Sequence, residues 1–105
     1  MIPALDPKTG LLAFRASQLY EGKAEGYMRK KDWQRALSQM DKSITLAPDN
    51  CWKYKKRKDI YLALDNVENA VIDLQHFTET LCATSADREE LKRLRSQPGV
   101  PGDTH

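Results

Sequence analysis

The stretch Asp32-Trp33-Gln34-Arg35-Ala36-Leu37-Ser38-Gln39-Met40, running on to Leu46-Ala47-Pro48, decides the fold. At helical spacing Trp33, Ala36, Leu37, Met40, Ile44 and Ala47 fall on one side, while Arg35, Gln39, Asp41 and Lys42 fall largely elsewhere. That is the pattern of an amphipathic helix. Asp32 stands just before its first turn, where a carboxylate accepts unpaired amide hydrogens. Pro48 cannot continue a helix and ends it. Upstream, Tyr20, Ala24 and Tyr27 make a second apolar stripe, separated from the first by Arg29 to Lys31. Two short helices joined by a tight turn make a helical hairpin.

The arrangement recurs. Tyr20 is echoed by Tyr54, Tyr27 by Tyr61, Trp33 by Val67, Ala36 by Ala70 and Met40 by Leu74, each pair about 34 residues apart. An aromatic, seven on an aromatic, nine on an alanine, four on a large apolar residue, and twelve after that alanine a proline: this resembles the tetratricopeptide repeat. The resemblance covers two copies, about 17–50 and about 51–84, with a partial third from Ser85 onward. It implies an all-α protein of antiparallel helix hairpins, stacked as a short right-handed solenoid and closed by a capping helix at about 86–96.

Composition agrees with a small all-α domain. The chain has 105 residues, 40% hydrophobic and 30% charged, which suits a single domain spanning 11–96. Scarce Val and Ile disfavour an all-β fold. A net charge of +2 gives no whole-molecule argument for nucleic acid or membrane. No apolar run approaches the ~20 residues needed to cross a bilayer. Met1-Ile2-Pro3-Ala4-Leu5 lacks the basic flank and long apolar core of a secretory signal. We therefore read the chain as cytosolic, with a nuclear location as the alternative. Cys51 and Cys82 are too few and too far apart for a zinc knuckle. Reduced thiols are the expectation in a cytosolic protein; because an antiparallel helix pair brings these ends together, a disulfide is the alternative.

Pro3, Pro7 and Gly10 mark residues 1–10 as an extended lead-in. Leu5-Asp6-Pro7 also resembles the end of a preceding repeat, as if the chain were part of a longer array. The spacing predicts a first helix over 11–30, with Leu12, Leu19, Tyr20, Ala24 and Tyr27 inward, and Gly22 and Gly26 either where a partner helix approaches closely or simply a weak point. Further helices are expected at about 33–47, 51–64, 67–81 and 87–96. Val67, Ala70, Val71, Leu74 and Leu81 would be the buried side of the fourth, with Phe77 beside them; Thr84, Ser85 or Asp87 would open the fifth, with Asp87 and Glu90 a capping-box-like pair. Residues 97–105, with Pro98, Gly99, Pro101 and Gly102, read as a disordered tail.

Little here points to catalysis. His76, with Asp73 and Glu79 a turn away on either side, is the one candidate cluster, and a metal would want at least three well-placed ligands. A solvated helix face accounts for it better. We expect no catalytic, metal or cofactor site. The run Trp52-Lys53-Tyr54-Lys55-Lys56-Arg57-Lys58 allows a nucleic-acid reading, lysines tracking phosphates and aromatics stacking bases. Tyr54, however, falls in the core aromatic slot of the resemblance, which would splay the bases around the helix. The resemblance instead implies a non-catalytic adaptor whose first helices line a groove for a peptide or helix of another protein. Its groove set here is Glu21, Glu25, Met28, Arg29, Trp52, Lys55 and Asp59. One branch of the family grips a chaperone C-terminal carboxylate with lysine and asparagine; Glu21 and Glu25 stand there instead, which argues against that specificity. Lys58, where the pattern wants a small residue, predicts looser packing of the second hairpin unless its stem reaches out. Two copies bury little; the long first helix and the final helix would supply the missing cover, or else a homodimer or a larger complex would.

Overall fold

The structure, a computed structural model, describes residues 10–97. Within them lie five helices and no strand: α1 (Leu11–Arg29), α2 (Trp33–Leu46), α3 (Cys51–Ala63), α4 (Val67–Thr78) and α5 (Ser85–Arg95). None is long and apolar enough to cross a membrane. The lead-in over 1–9 and the tail from 98 lie outside the described residues. Helices pack in chain order: α1 on α2, α2 on α3, α3 on α4 and α4 on α5.

Local chemistry sets the boundaries. The side chains of Asp32, Asn50, Asn66 and Thr84 each accept a backbone N–H of the following helix, from Arg35, Trp52, Asn69 and Asp87. The turns after α1 and α3 match. Lys31 and Asp65, 34 positions apart, both take φ 61°. The Asp32 amide donates to the Tyr27 carbonyl at 2.9 Å, and the Asn66 amide to the Tyr61 carbonyl at 2.8 Å.

The core has two lobes. Ala24, Ala36, Met40, Ile44 and Ile60 form one, where α1, α2 and α3 meet. Val71, Leu74, Phe77, Leu91 and Leu94 form the other, under α3, α4 and α5.

Four expectations are corrected. First, α1 is rotated: Ala13, Ser17 and Ala24 are its buried residues, while Leu12 and Leu19 are 63% and 70% exposed. Small side chains let α2 come close, and Ser17 is held by polar bonds. Gly22 has no part in that approach, since a Cβ there would meet nothing, and one at Gly26 would meet only the end of Arg29. Second, α4 stops at Thr78, not Leu81. The Thr80 hydroxyl donates to the Phe77 carbonyl and accepts from the Cys82 amide, and these local bonds replace helical ones. Leu81 is expelled, at 106% relative exposure. Third, the capping box of α5 pairs Thr84 with Asp87, not Asp87 with Glu90; Glu90 is turned instead toward Lys58. Fourth, Cys51 and Cys82 form a disulfide, their Cα atoms 6.5 Å apart. It joins the start of α3 to the link before α5, and both cysteines pack against the second lobe.

Candidate functional site

The basic run on α3 is the densest concentration of charge, and the fold spends it internally. Lys53 is 1% exposed. Its Nζ donates to Glu21 Oε1 at 2.7 Å and to Ser43 Oγ at 2.8 Å. The Ser43 hydroxyl donates in turn to the Ser17 carbonyl at 2.7 Å. This buried polar chain fastens α3 to both α1 and α2, and each member has its partner, as burial demands. Lys56 pairs with Glu21, and with Glu25 at 2.5 Å.

On the other flank Arg57 grips Asp73 with two parallel bonds of 2.8 Å and reaches Asp41 at 3.0 Å. A planar guanidinium suits such a fork. Its carbon lies 5.8 Å from the Tyr54 ring centre and 5.7 Å from that of Tyr61. Lys58 sends its stem between helices, where Ala24 sits in the first hairpin, and reaches Asp59 at 2.6 Å and Glu90 at 3.0 Å. Lys55 meets Asp87 at 2.9 Å, beside the Phe77 ring. All five bases thus face carboxylates, distributed over α1, α2, α3, α4 and α5, and the run presents no unmatched stripe to a phosphate backbone.

The seven groove candidates divide accordingly. Glu21 is half-buried and bound to two lysines, Glu25 is tied to Lys56, and Lys55 to Asp87. Met28 packs on the first core lobe. Arg29, Trp52 and Asp59 keep exposed surface, Trp52 at 50%, with its ring tilted against Phe77. By helical rotation Trp52 and Asp59 share one side of α3, and the Trp52 end of that side lies against Phe77 of α4. His76 is exposed and stacks on Tyr54, ring centres 4.0 Å apart, while Asp73 is committed to Arg57. Among the described residues no three His, Cys, Asp or Glu side chains are placed to hold a metal ion.

The ion pairs shift titrations in defined directions. Burial pushes the Glu21 carboxyl up, but hydrogen bonds from Lys53 and Lys56 outweigh this and leave it below its ordinary 4.5. Burial likewise raises Asp87, while the Thr84 amide and then Lys55 bring it below 3.8. Burial lowers Lys56 and Lys58, yet Glu21 and Glu25 in the first case, and Asp59 and Glu90 in the second, lift both above 10.5. A carboxylate with a depressed folded-state pKa contributes stability that is present above its unfolded value and lost as pH falls through the folded one. A raised lysine contributes stability that is present below 10.5 and lost as pH climbs past it. Melting temperature followed by circular dichroism should therefore be flat from about pH 5.5 to 9 and fall on either side. Glu21→Gln should soften the acid limb; a wild-type plateau reaching down to about pH 3 would show that these carboxylates contribute nothing.

The signal for this network was split across the chain: the bases lie together, but their acids stand 16 to 35 positions away in most pairs. Compared with models of protein families and with curated proteins, the chain matches none.

Proposed function

We propose that the chain is a non-catalytic adaptor of tetratricopeptide type: two stacked hairpins, α1–α2 and α3–α4, with α5 closing the core, presenting the exposed side of α1 and α3 to a peptide or helix of another protein. The matched turns carry this reading. Lys31 and Asp65 have the same left-handed backbone, and the residue after each donates to an aromatic's carbonyl and caps the next helix. Ala36 and Ala70 are both fully buried, as are Met40 and Leu74. Such agreement at one offset supports a repeated unit rather than two unrelated hairpins.

Within the groove set, Arg29, Trp52 and Asp59 keep exposed surface for a partner, Asp59 while accepting from Lys58 and Trp52 with one face of its ring against Phe77; Glu21 and Lys55 serve the fold. A half-exposed tryptophan beside a carboxylate suits a peptide with an apolar residue near a basic one. The test is affinity capture from a native extract, followed by binding measurements on the identified partner. Trp52→Ala with Asp59→Lys should weaken that partner by at least about tenfold, roughly 1.4 kcal/mol, with helicity unchanged. Equal binding by the variant would remove this groove from consideration.

A further inference from the structure

Apart from that groove, the side of α1 turned away from α3 has a composition the fold does not use. Glu21 and Glu25 point to α3; Leu12, Leu19 and Gly26, at seven-residue spacing, point the other way. The two leucines are exposed, and the glycine has no packing reason to lack a side chain. Beside this stripe, where α1 meets α2, run two hollows. One, of about 350 Å³, is lined by Tyr20, Asp41, Lys42, Thr45 and Leu46. The other, of about 310 Å³, is lined by Lys23, Gly26, Tyr27, Lys30 and Gln39. They adjoin, because Lys23 and Lys42 both lie over the Tyr20 ring, at 5.7 and 5.6 Å from its centre.

The charge along this seam is unbalanced. Among the described residues Lys23, Lys30 and Lys42 have no carboxylate within salt-bridge distance, in contrast to every base of the α3 run. The one acid lining the hollows, Asp41, is already engaged by Arg57. Gln39, beside Lys23 and Lys30, lines the second hollow. Three unpaired ammonium groups, flanked by exposed leucines and half-buried tyrosines, make a surface complementary to something anionic and apolar along one stripe.

We propose that this α1–α2 seam is a second docking surface, and that its occupant is an acidic amphipathic helix of another protein. Leucines of the partner would rest on Leu12, Leu19 and the flat at Gly26, and its carboxylates would meet Lys23, Lys30 and Lys42. Paired hollows beside an apolar stripe suit projecting side chains better than a flat bilayer or a uniform phosphate rail.

The experiment titrates the full, isotope-labelled chain by NMR with a synthetic peptide of about four helical turns, leucines at three- and four-residue spacing and glutamates elsewhere. Amides at Leu19, Lys23, Gln39 and Lys42 should shift. Lys23→Glu with Lys42→Glu, both exposed and harmless to folding, should weaken binding about tenfold or more. Trp52→Ala should leave it unchanged, which separates this surface from the α1–α3 groove. The inference is overturned by no binding at about 1 mM peptide, by equal binding of a peptide with lysine for glutamate, or by loss of binding in Trp52→Ala but not in the lysine variant. Tighter binding to phosphatidylserine vesicles or to an oligonucleotide than to the peptide also overturns it.

Discussion

Reducing the Cys51–Cys82 bridge, or replacing both cysteines with serine, should lower the stability of the folded chain by about 3–4 kcal/mol, the entropy that a cross-link over this separation removes from the unfolded chain. For a domain of this size that is a fall in melting temperature on the order of 15–25 °C. The local effect should centre on α5. Its docking rests on Leu91 and Leu94 against the lobe where both cysteines pack, on Lys55–Asp87 and on Lys58–Glu90. Freeing Cys82 releases the link that carries α5 into place. Urea unfolding with and without a reductant measures the global loss, and amide exchange should show α5 opening first. An unchanged midpoint under full reduction would mean that the bridge does not stabilise the fold. Disulfides persist in oxidising surroundings, a condition that the cytosolic expectation did not include.

The second large effect is at Glu21. Glu21→Ala removes the carboxylate from a lysine ammonium that is almost wholly buried, leaving it only the Ser43 hydroxyl. Breaking one side of a buried pair costs about 3–5 kcal/mol, far more than deleting an exposed one. Replacing both partners, Glu21→Leu with Lys53→Met, should return to within about 2 kcal/mol of the native chain, because no uncompensated charge remains. Urea unfolding of the two singles and the double completes the cycle. If Glu21→Ala costs less than about 1 kcal/mol, water has reached Lys53 and the polar chain through Ser43 and Ser17 does not fasten the helices. Failure of a Glu21 variant to bind a partner would also report unfolding rather than recognition, although the residue sits in the groove set.

These two sites mark where sequence reasoning runs out. α2 was legible in its apolar stripe, its cap at Asp32 and its stop near Pro48, which are local properties, but not in Ser43, which is wholly buried. Of the pairs read at an offset of 34, Ala36 with Ala70 and Met40 with Leu74 are all buried, because each was picked from the apolar stripe of its own helix. The inward face of α1 was not. Leu12 and Leu19 outweigh Ala13 and Ser17 in any hydrophobicity count, yet close helix approach selects small residues, and Ser17 is buried beside a polar network. Lys53 and Lys58 looked like surface residues because nothing adjacent in sequence announces Glu21 or Glu90. Trp52 stayed half exposed although its ring lies against Phe77 of α4, and Asp59 stayed exposed although it accepts from Lys58. The disulfide needed the relative placement of two helix ends, which spacing alone allows but does not require.

The distribution of charge around α3 also bears on how the molecule assembles. In an ordinary repeat array each unit carries most of its own stability and the ends can unravel separately. Here a 13-residue helix holds five cations, several at three- and four-residue separations where like charges repel. Its anions arrive from the segments before it and after it, so neither half can settle without the other. The two hairpins are therefore not modular in the thermodynamic sense: cutting the polypeptide near Pro48 would leave two pieces without a stable fold, and the intact chain should cross its unfolding transition as one cooperative unit.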